Sequence, residues 1–214
     1  MAAKLVVLTM LCFCVCAHAQ TPALVVYPGH ADNLDSIANH SLEQELKRLV
    51  APAGVALTWR SNADRTQTHE EMGRIIVGKF AGNCSVETVT SARAASRAQL
   101  TLAEASVSKG RVLPYFTVDC DHVIRTLAPM LQPLSPPMRQ AILGRALARV
   151  IAHEIYHILA ETTGHEDAGL AKAKLSLHDL TAPGIDLSPA SLLRIRAAYR
   201  VEAAIPVAAL ISRD

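Results

Sequence analysis

The chain has 214 residues, half of them apolar, with 19% charged and only 4% aromatic. That length fits one globular domain whose core is mostly Ala, Leu, Val and Ile. A formal net charge of +2 without any Lys/Arg block argues against a nucleic-acid partner. At the start, Lys4, the apolar run Leu5–Cys16 and Ala17-His18-Ala19 before Gln20 read as a signal peptide over residues 1–19. The apolar run is too short to anchor the chain across a bilayer. The mature chain, residues 20–214, is therefore expected outside the cytoplasm, secreted or periplasmic, and free of the membrane after cleavage. Cys12, Cys14 and Cys16 leave with the signal. Cys84 and Cys120 remain and are expected to form one disulfide, closing a loop of 35 intervening residues. Such a bridge contributes about 3–4 kcal/mol in the chain-entropy model.

Along the mature chain, Ala23–Tyr27 reads as a buried strand ended by Pro28-Gly29. Asn33 to Val50 reads as a helix, with Leu34, Ile37, Leu42, Leu46 and Leu49 near one face. Val55–Arg60 and Arg74–Phe80 read as strands, separated by a polar loop over Asn62–Met72. Ser85–Arg97 has no readable period and is taken as an irregular connection. Gln99–Val107 alternates well enough for a strand, and Lys109-Gly110 turns the chain into Val112–Val118. Pro114 argues that this last strand lies at an edge or that a strand ends there.

Asp119 is a good cap for a short helix through Val123, Ile124 and Leu127. Four prolines from Pro129 to Pro137 break the pattern. The longest helix is expected from Pro137 to Thr162, apolar nearly all round and hence central, with Gly164 as its stop. A last helix spans Pro189–Ala204 after Ser188. The fold class expected is α+β, a mixed β-sheet packed on a long buried helix in a single domain.

Within that helix stands His153-Glu154-Ile155-Tyr156-His157. Residues four apart share a helix face, so His153 and His157 can both reach one zinc ion at about 2.0–2.1 Å. Glu154, next to the first ligand, can act as general base toward a water activated by the ion. Ionisable groups buried in an apolar helix need a partner, and a metal supplies one. A catalytic zinc needs a third protein ligand. His165, eight residues after His157 and just past Gly164, is the first choice. Glu161, one turn beyond His157, is the rival, and Glu166 and Asp167 read as exposed loop acids.

The run Arg149–Leu159 followed by His165 and Gly169-Leu170 resembles the zincin metalloproteases. It is most similar to exported bacterial metzincin-like proteins with H-E-x-G-H-x-L-L-G-x-x-x-H-x-x-x-G-I-M. The resemblance implies a zincin-like catalytic domain over residues 20–214, with His153, His157 and His165 as Zn2+ ligands and Glu154 as catalytic base. It implies a metalloendopeptidase acting on a peptide or protein, with an edge strand pairing to the substrate, assigned here to Gln99–Val107. Tyr156 departs from the family's Gly, Ala160-Glu161 from its Leu-Gly region, and Leu170 from its Met. The departures around Tyr156 and Glu161 keep open a catalytically weak or inactive zincin-like binding module, and the sequence does not separate a protease from a zinc amidase acting on cell-wall peptides. Tyr199 reads as packing. Arg139, Arg145 and Arg149 read as a solvated stripe, and His30, His40, His69, His122 and His178 as surface or polar-network histidines.

Overall fold

The computed structural model describes residues 23–29, 34–60, 72–86 and 101–203. Strands β1 (Ala23–Gly29), β2 (Leu57–Trp59), β3 (Met72–Ala81), β4 (Ala103–Ser108) and β5 (Arg111–Asp119) form one sheet in the order β2-β1-β3-β5-β4. The first four in that order run parallel, and β4 lies antiparallel to β5 at one edge. Lys109 and Gly110, both with positive φ, make the tight turn joining β4 to β5. The helices are α1 (Ser36–Val50), α2 (Cys120–Leu131), α3 (Pro136–Leu159), α4 (Leu177–Thr181) and α5 (Pro189–Ala203). The architecture is the mixed α+β single domain expected. Among the described residues, no helix is long and apolar enough to cross a membrane.

The period-2 rule sets which face of the sheet is covered. On β3, Ile76, Gly78 and Phe80 point inward, while Ile75, Val77 and Lys79 alternate outward and are exposed. Leu24 and Val26 from β1 and Phe116 and Val118 from β5 join the inward side and meet Leu42, Leu46, Leu147 and Ile151. Helix α1 begins where Asp35 accepts a hydrogen bond from the Ile37 amide at 2.7 Å, three residues later than Asn33. It crosses α3 closely because Gly144 has no side chain. A Cβ there would collide with the Ala38 carbonyl.

The Cys84–Cys120 disulfide forms, with Cα atoms 5.0 Å apart. It ties the segment after β3 to the first residue of α2. Asp119 caps α2 by accepting from the His122 amide at 2.8 Å, and Asp121 accepts from the Asn83 amide at 3.2 Å. Residues 1–19, read as a signal peptide, lie outside the described residues, as do residues 61–71, residues 87–97 of the stretch read as irregular, residues 99 and 100, His30, His69 and Ala204.

Several expectations need correction. β5 is interior, not an edge strand, yet Pro114 is accommodated for a local reason. The ladder to β3 begins only at Tyr115, and the register to β4 slips between Ala105 and Val107. The proline therefore sits beside a bulge, beyond the β3 ladder, where its missing N–H costs no inter-strand bond there. Pro28 likewise stays within β1, because β2 pairs only with Leu24–Val26. Helix α2 runs through Pro129 to Leu131. Helix α3 stops at Leu159, not Thr162, and its stop is not Gly164. Glu161 takes the left-handed conformation (φ 48°) and the Thr162 amide bonds back to the His157 carbonyl at 3.1 Å. This is the Schellman arrangement, with glutamate in the position glycine usually fills.

Candidate metal centre

The middle of α3 is buried all round, because it lies between the sheet, α1, α2 and the segment 169–187. His153 and His157 are 9% and 7% exposed there. Their rings come together one turn apart, with Nε2 atoms 3.0 Å from each other. The opposite nitrogens are already engaged: His153 Nδ1 with the Leu170 carbonyl at 2.6 Å, and His157 Nδ1 with the Thr162 carbonyl at 2.8 Å. A carbonyl only accepts, so each Nδ1 carries the proton and donates. Each neutral ring then turns its Nε2 lone pair toward the other. Two lone pairs at that distance repel unless a cation sits between them.

A proton is a poor candidate for that cation. Burial is the main cause pushing the His153 imidazole down to about 4, against the Leu170 hydrogen bond, with His157 and His165 adding to the depression. Burial also lowers His157, which the Thr162 carbonyl opposes. A metal ion fits the donor set. Two imidazoles on one tetrahedral ion at 2.0–2.1 Å place their nitrogens about 3.3 Å apart, within a few tenths of the separation found.

His165 completes the cluster. One ligand atom from each of His153, His157 and His165 lies within 4.8 Å of the others. Its ring stands 4.8 Å from that of His157 and 5.3 Å from that of His153, centroid to centroid. It is the exposed member of the three. These three histidines can hold a metal ion.

The rivals are placed elsewhere. Glu161 points to solvent with 63% of its side chain exposed and pairs with Arg74 at 3.3 Å. Its left-handed backbone turns it off the face that His157 occupies. Glu166, expected as an exposed acid, accepts a hydrogen bond from the Tyr156 hydroxyl at 2.8 Å and pairs with Arg194 at 3.3 Å. Asp167 is exposed and outside the cluster. Arg149, read as part of a solvated stripe, is 3% exposed and bonds Glu45 at 2.9 Å. Tyr199 is a buried core residue, and His40 and His178 are exposed.

Glu154 faces the edge strand. The backbone of Ala105 on β4 contacts its carboxyl. Burial raises that carboxyl to about 8, Ala105 opposes the rise, and the charge of Glu104 adds to it. A bound dication would favour the carboxylate and counter this. Two cavities, of about 480 and 230 Å³, meet here, and His153, Glu154 and His165 line both. Both also run along Thr101 and Ala103 beside β4. His122, set aside on spacing alone, lines the larger cavity and bonds the Thr101 carbonyl through Nδ1 at 3.1 Å. Only the fold brings it there.

Among the described residues, no strand pairs with the outer edge of β4. The Asp119 amide donates to the Leu102 carbonyl at 3.0 Å, so Leu102 and Asp119 form a hydrogen-bonded pair. Antiparallel alternation then turns the backbone groups of Ala103 and Ala105 outward, toward the cleft.

Fold and site together define a mixed α+β domain with a three-histidine centre for a metal ion in an open cleft. No protein-family model, no curated protein and no solved structure matches the chain.

Proposed function

We propose that this protein is a zincin-like metallohydrolase acting outside the cytoplasm, most simply an endopeptidase. The observation that carries the reading is the pair of His153 and His157 Nε2 lone pairs, 3.0 Å apart, with both Nδ1 protons committed to carbonyls. His153, His157 and His165 would hold the ion. Three neutral imidazoles at this spacing suit Zn2+ best among common ions. An ion there supplies Lewis acidity, polarising a carbonyl and acidifying water to a pKa of about 7.

The chain's own residues supply the rest. Glu154 adjoins the cluster and takes the proton from the attacking water. Ala103 offers an extended peptide the outward backbone groups that strand addition requires, beside Ala105, whose backbone meets the Glu154 carboxyl. The two cavities receive side chains on either side of the reacting carbonyl. The Cys84–Cys120 disulfide supports export to an oxidising compartment, in line with the signal peptide expected over residues 1–19.

The test combines metal content of the purified mature protein with cleavage of a mixed peptide library by wild type and Glu154→Gln. About one zinc per chain and turnover lost at least 100-fold in Glu154→Gln are expected. Zinc without Glu154-dependent cleavage would instead identify a metal-stabilised binding module. Glu154-dependent cleavage confined to cell-wall peptides would identify an amidase.

A further inference from the structure

The three histidines are not held alike. His153 and His157 are buried and each is oriented by a carbonyl on its Nδ1. His165 is exposed and neither of its ring nitrogens has a hydrogen-bond partner among the described residues. It also lies in a stretch without helix or strand, between the end of α3 and the turn at Gly169–Ala171. A ligand so placed needs something else to fix it, because an unrestrained loop histidine loses conformational entropy on binding an ion.

The adjacent residue provides the restraint. Glu166 accepts from the buried Tyr156 hydroxyl at 2.8 Å and forms an ion pair with Arg194 of α5 at 3.3 Å. Its amide donates to the Ala171 carbonyl at 2.9 Å, and it bridges to Lys172. Upstream, Thr162 is pinned by His157 at both its amide and its carbonyl, and its hydroxyl accepts from the Gly164 amide at 3.0 Å. The loop carrying His165 is thus staked on both sides. The downstream stake is Tyr156, a fully buried residue of α3 whose ring stands 5.4 Å from that of His157.

We propose that Tyr156, acting through Glu166, is a positioning residue for the third metal ligand. The inference rests on the metal-site reading above. The Tyr156–Glu166–Arg194 chain does for His165 what the Leu170 and Thr162 carbonyls do for His153 and His157. It differs in acting through the neighbouring backbone and not through the imidazole. It also gives a role to Tyr156, which the resemblance marks only as a departure from the family's Gly.

The test measures Zn2+ affinity by competition with a chromophoric chelator, and records the visible spectrum of the Co2+-substituted protein. Tyr156→Phe keeps the buried ring and removes only the hydroxyl. It is expected to weaken metal binding roughly 10–100-fold, the range for loss of a ligand's supporting bond. The Co2+ bands should weaken toward those of His165→Ala. Glu166→Ala should match it, and Glu166→Gln, which keeps an acceptor oxygen, should recover much of the affinity. In a His165→Ala background, Tyr156→Phe should have no further effect. Equal losses with and without His165 would show that Tyr156 acts through general stability and would overturn the proposal. Wild-type affinity and spectrum in both Tyr156→Phe and Glu166→Ala would overturn it too, leaving the metal site itself intact. A wild-type protein that binds neither ion would overturn the metal reading and this inference with it.

Discussion

Replacing Arg149 by Met tests how the floor of the site is held. Arg149 lies in α3 one turn before His153, 3% exposed. Its Nε donates to Glu45 Oε1 at 2.9 Å, and its Nη1 donates to the carbonyls of Asp179 and Ala182 at 3.0 and 2.7 Å. Met keeps most of the stem volume and removes every one of these bonds. Breaking a buried ion pair from one side costs about 3–5 kcal/mol. Glu45 would keep Arg48, which donates to it at 2.8 and 3.1 Å, so the lower end applies, about 3 kcal/mol. For a domain of this size, that corresponds to a fall of roughly 10 °C in Tm. The assay is thermal and urea unfolding of the metal-free protein. Glu45→Met/Arg149→Met should be less destabilised than the sum of the single variants, since no uncompensated charge of this pair remains. A loss below about 1 kcal/mol in Arg149→Met would refute the claim that the pair holds α1, α3 and the 179–182 segment together.

Three further outcomes are expected. Burial alone would raise the Asp179 carboxyl, but Lys172 at 2.7 Å and Ser176, through hydroxyl and amide at 2.6 and 2.8 Å, hold it at about 2. Its folded value lies below its ordinary 3.8, so the stability it contributes is complete above about pH 4 and lost as pH falls toward 2. Asp179→Asn should remove roughly 2 kcal/mol of that acid dependence, seen as a flatter slope of unfolding free energy against pH; an unchanged slope would contradict the assignment. Glu161→Gly should stabilise by about 1 kcal/mol in chemical denaturation, because φ of 48° strains a side-chain-bearing residue and the exposed Arg74 pair returns little; a loss of stability would contradict this. His153→Ala should abolish metal binding measured by calorimetry, whereas His165→Ala should leave a weaker two-nitrogen site; the reverse order would mean that the buried pair is not the anchor.

What the sequence disclosed and what it hid divide along contact range. His153 and His157 are joined by helix geometry, which depends on spacing alone. The Cys84–Cys120 pair is legible because these are the two cysteines past residue 19, and Lys109-Gly110 follows from the backbone demands of a two-residue turn. The misread residues have partners that no spacing rule reaches. Arg149 was read as solvated because Glu45 lies 104 residues away and the two meet only when α1 docks on α3 at Gly144. Glu166 was read as exposed because a tyrosine hydroxyl ten residues earlier has no fixed relation to a loop. Pro114 was read as an edge marker because the offset between the β3 and β4 ladders is a property of the assembled sheet. The end of α3 was assigned to Gly164 on residue type, whereas hydrogen bonding to the His157 ring and carbonyl selects Glu161 and Thr162.

That last displacement bears on the chemistry. Had α3 continued to Thr162, the Thr162 carbonyl would point along the helix toward its C-terminus and could not turn back to His157 Nδ1. Stopping at Leu159 frees it, and the same reversal sends the chain toward His165. One local event, the left-handed turn at Glu161, therefore orients one histidine and delivers another. The strain at Glu161 and the tether from Tyr156 are two sides of that geometry. The turn aims the loop, and the Glu166 bonds stop it from drifting. Glu161→Gly should thus raise stability without weakening metal binding, since glycine keeps the turn, while Tyr156→Phe should weaken metal binding with little change in the turn. The two variants separate the aiming of His165 from its retention.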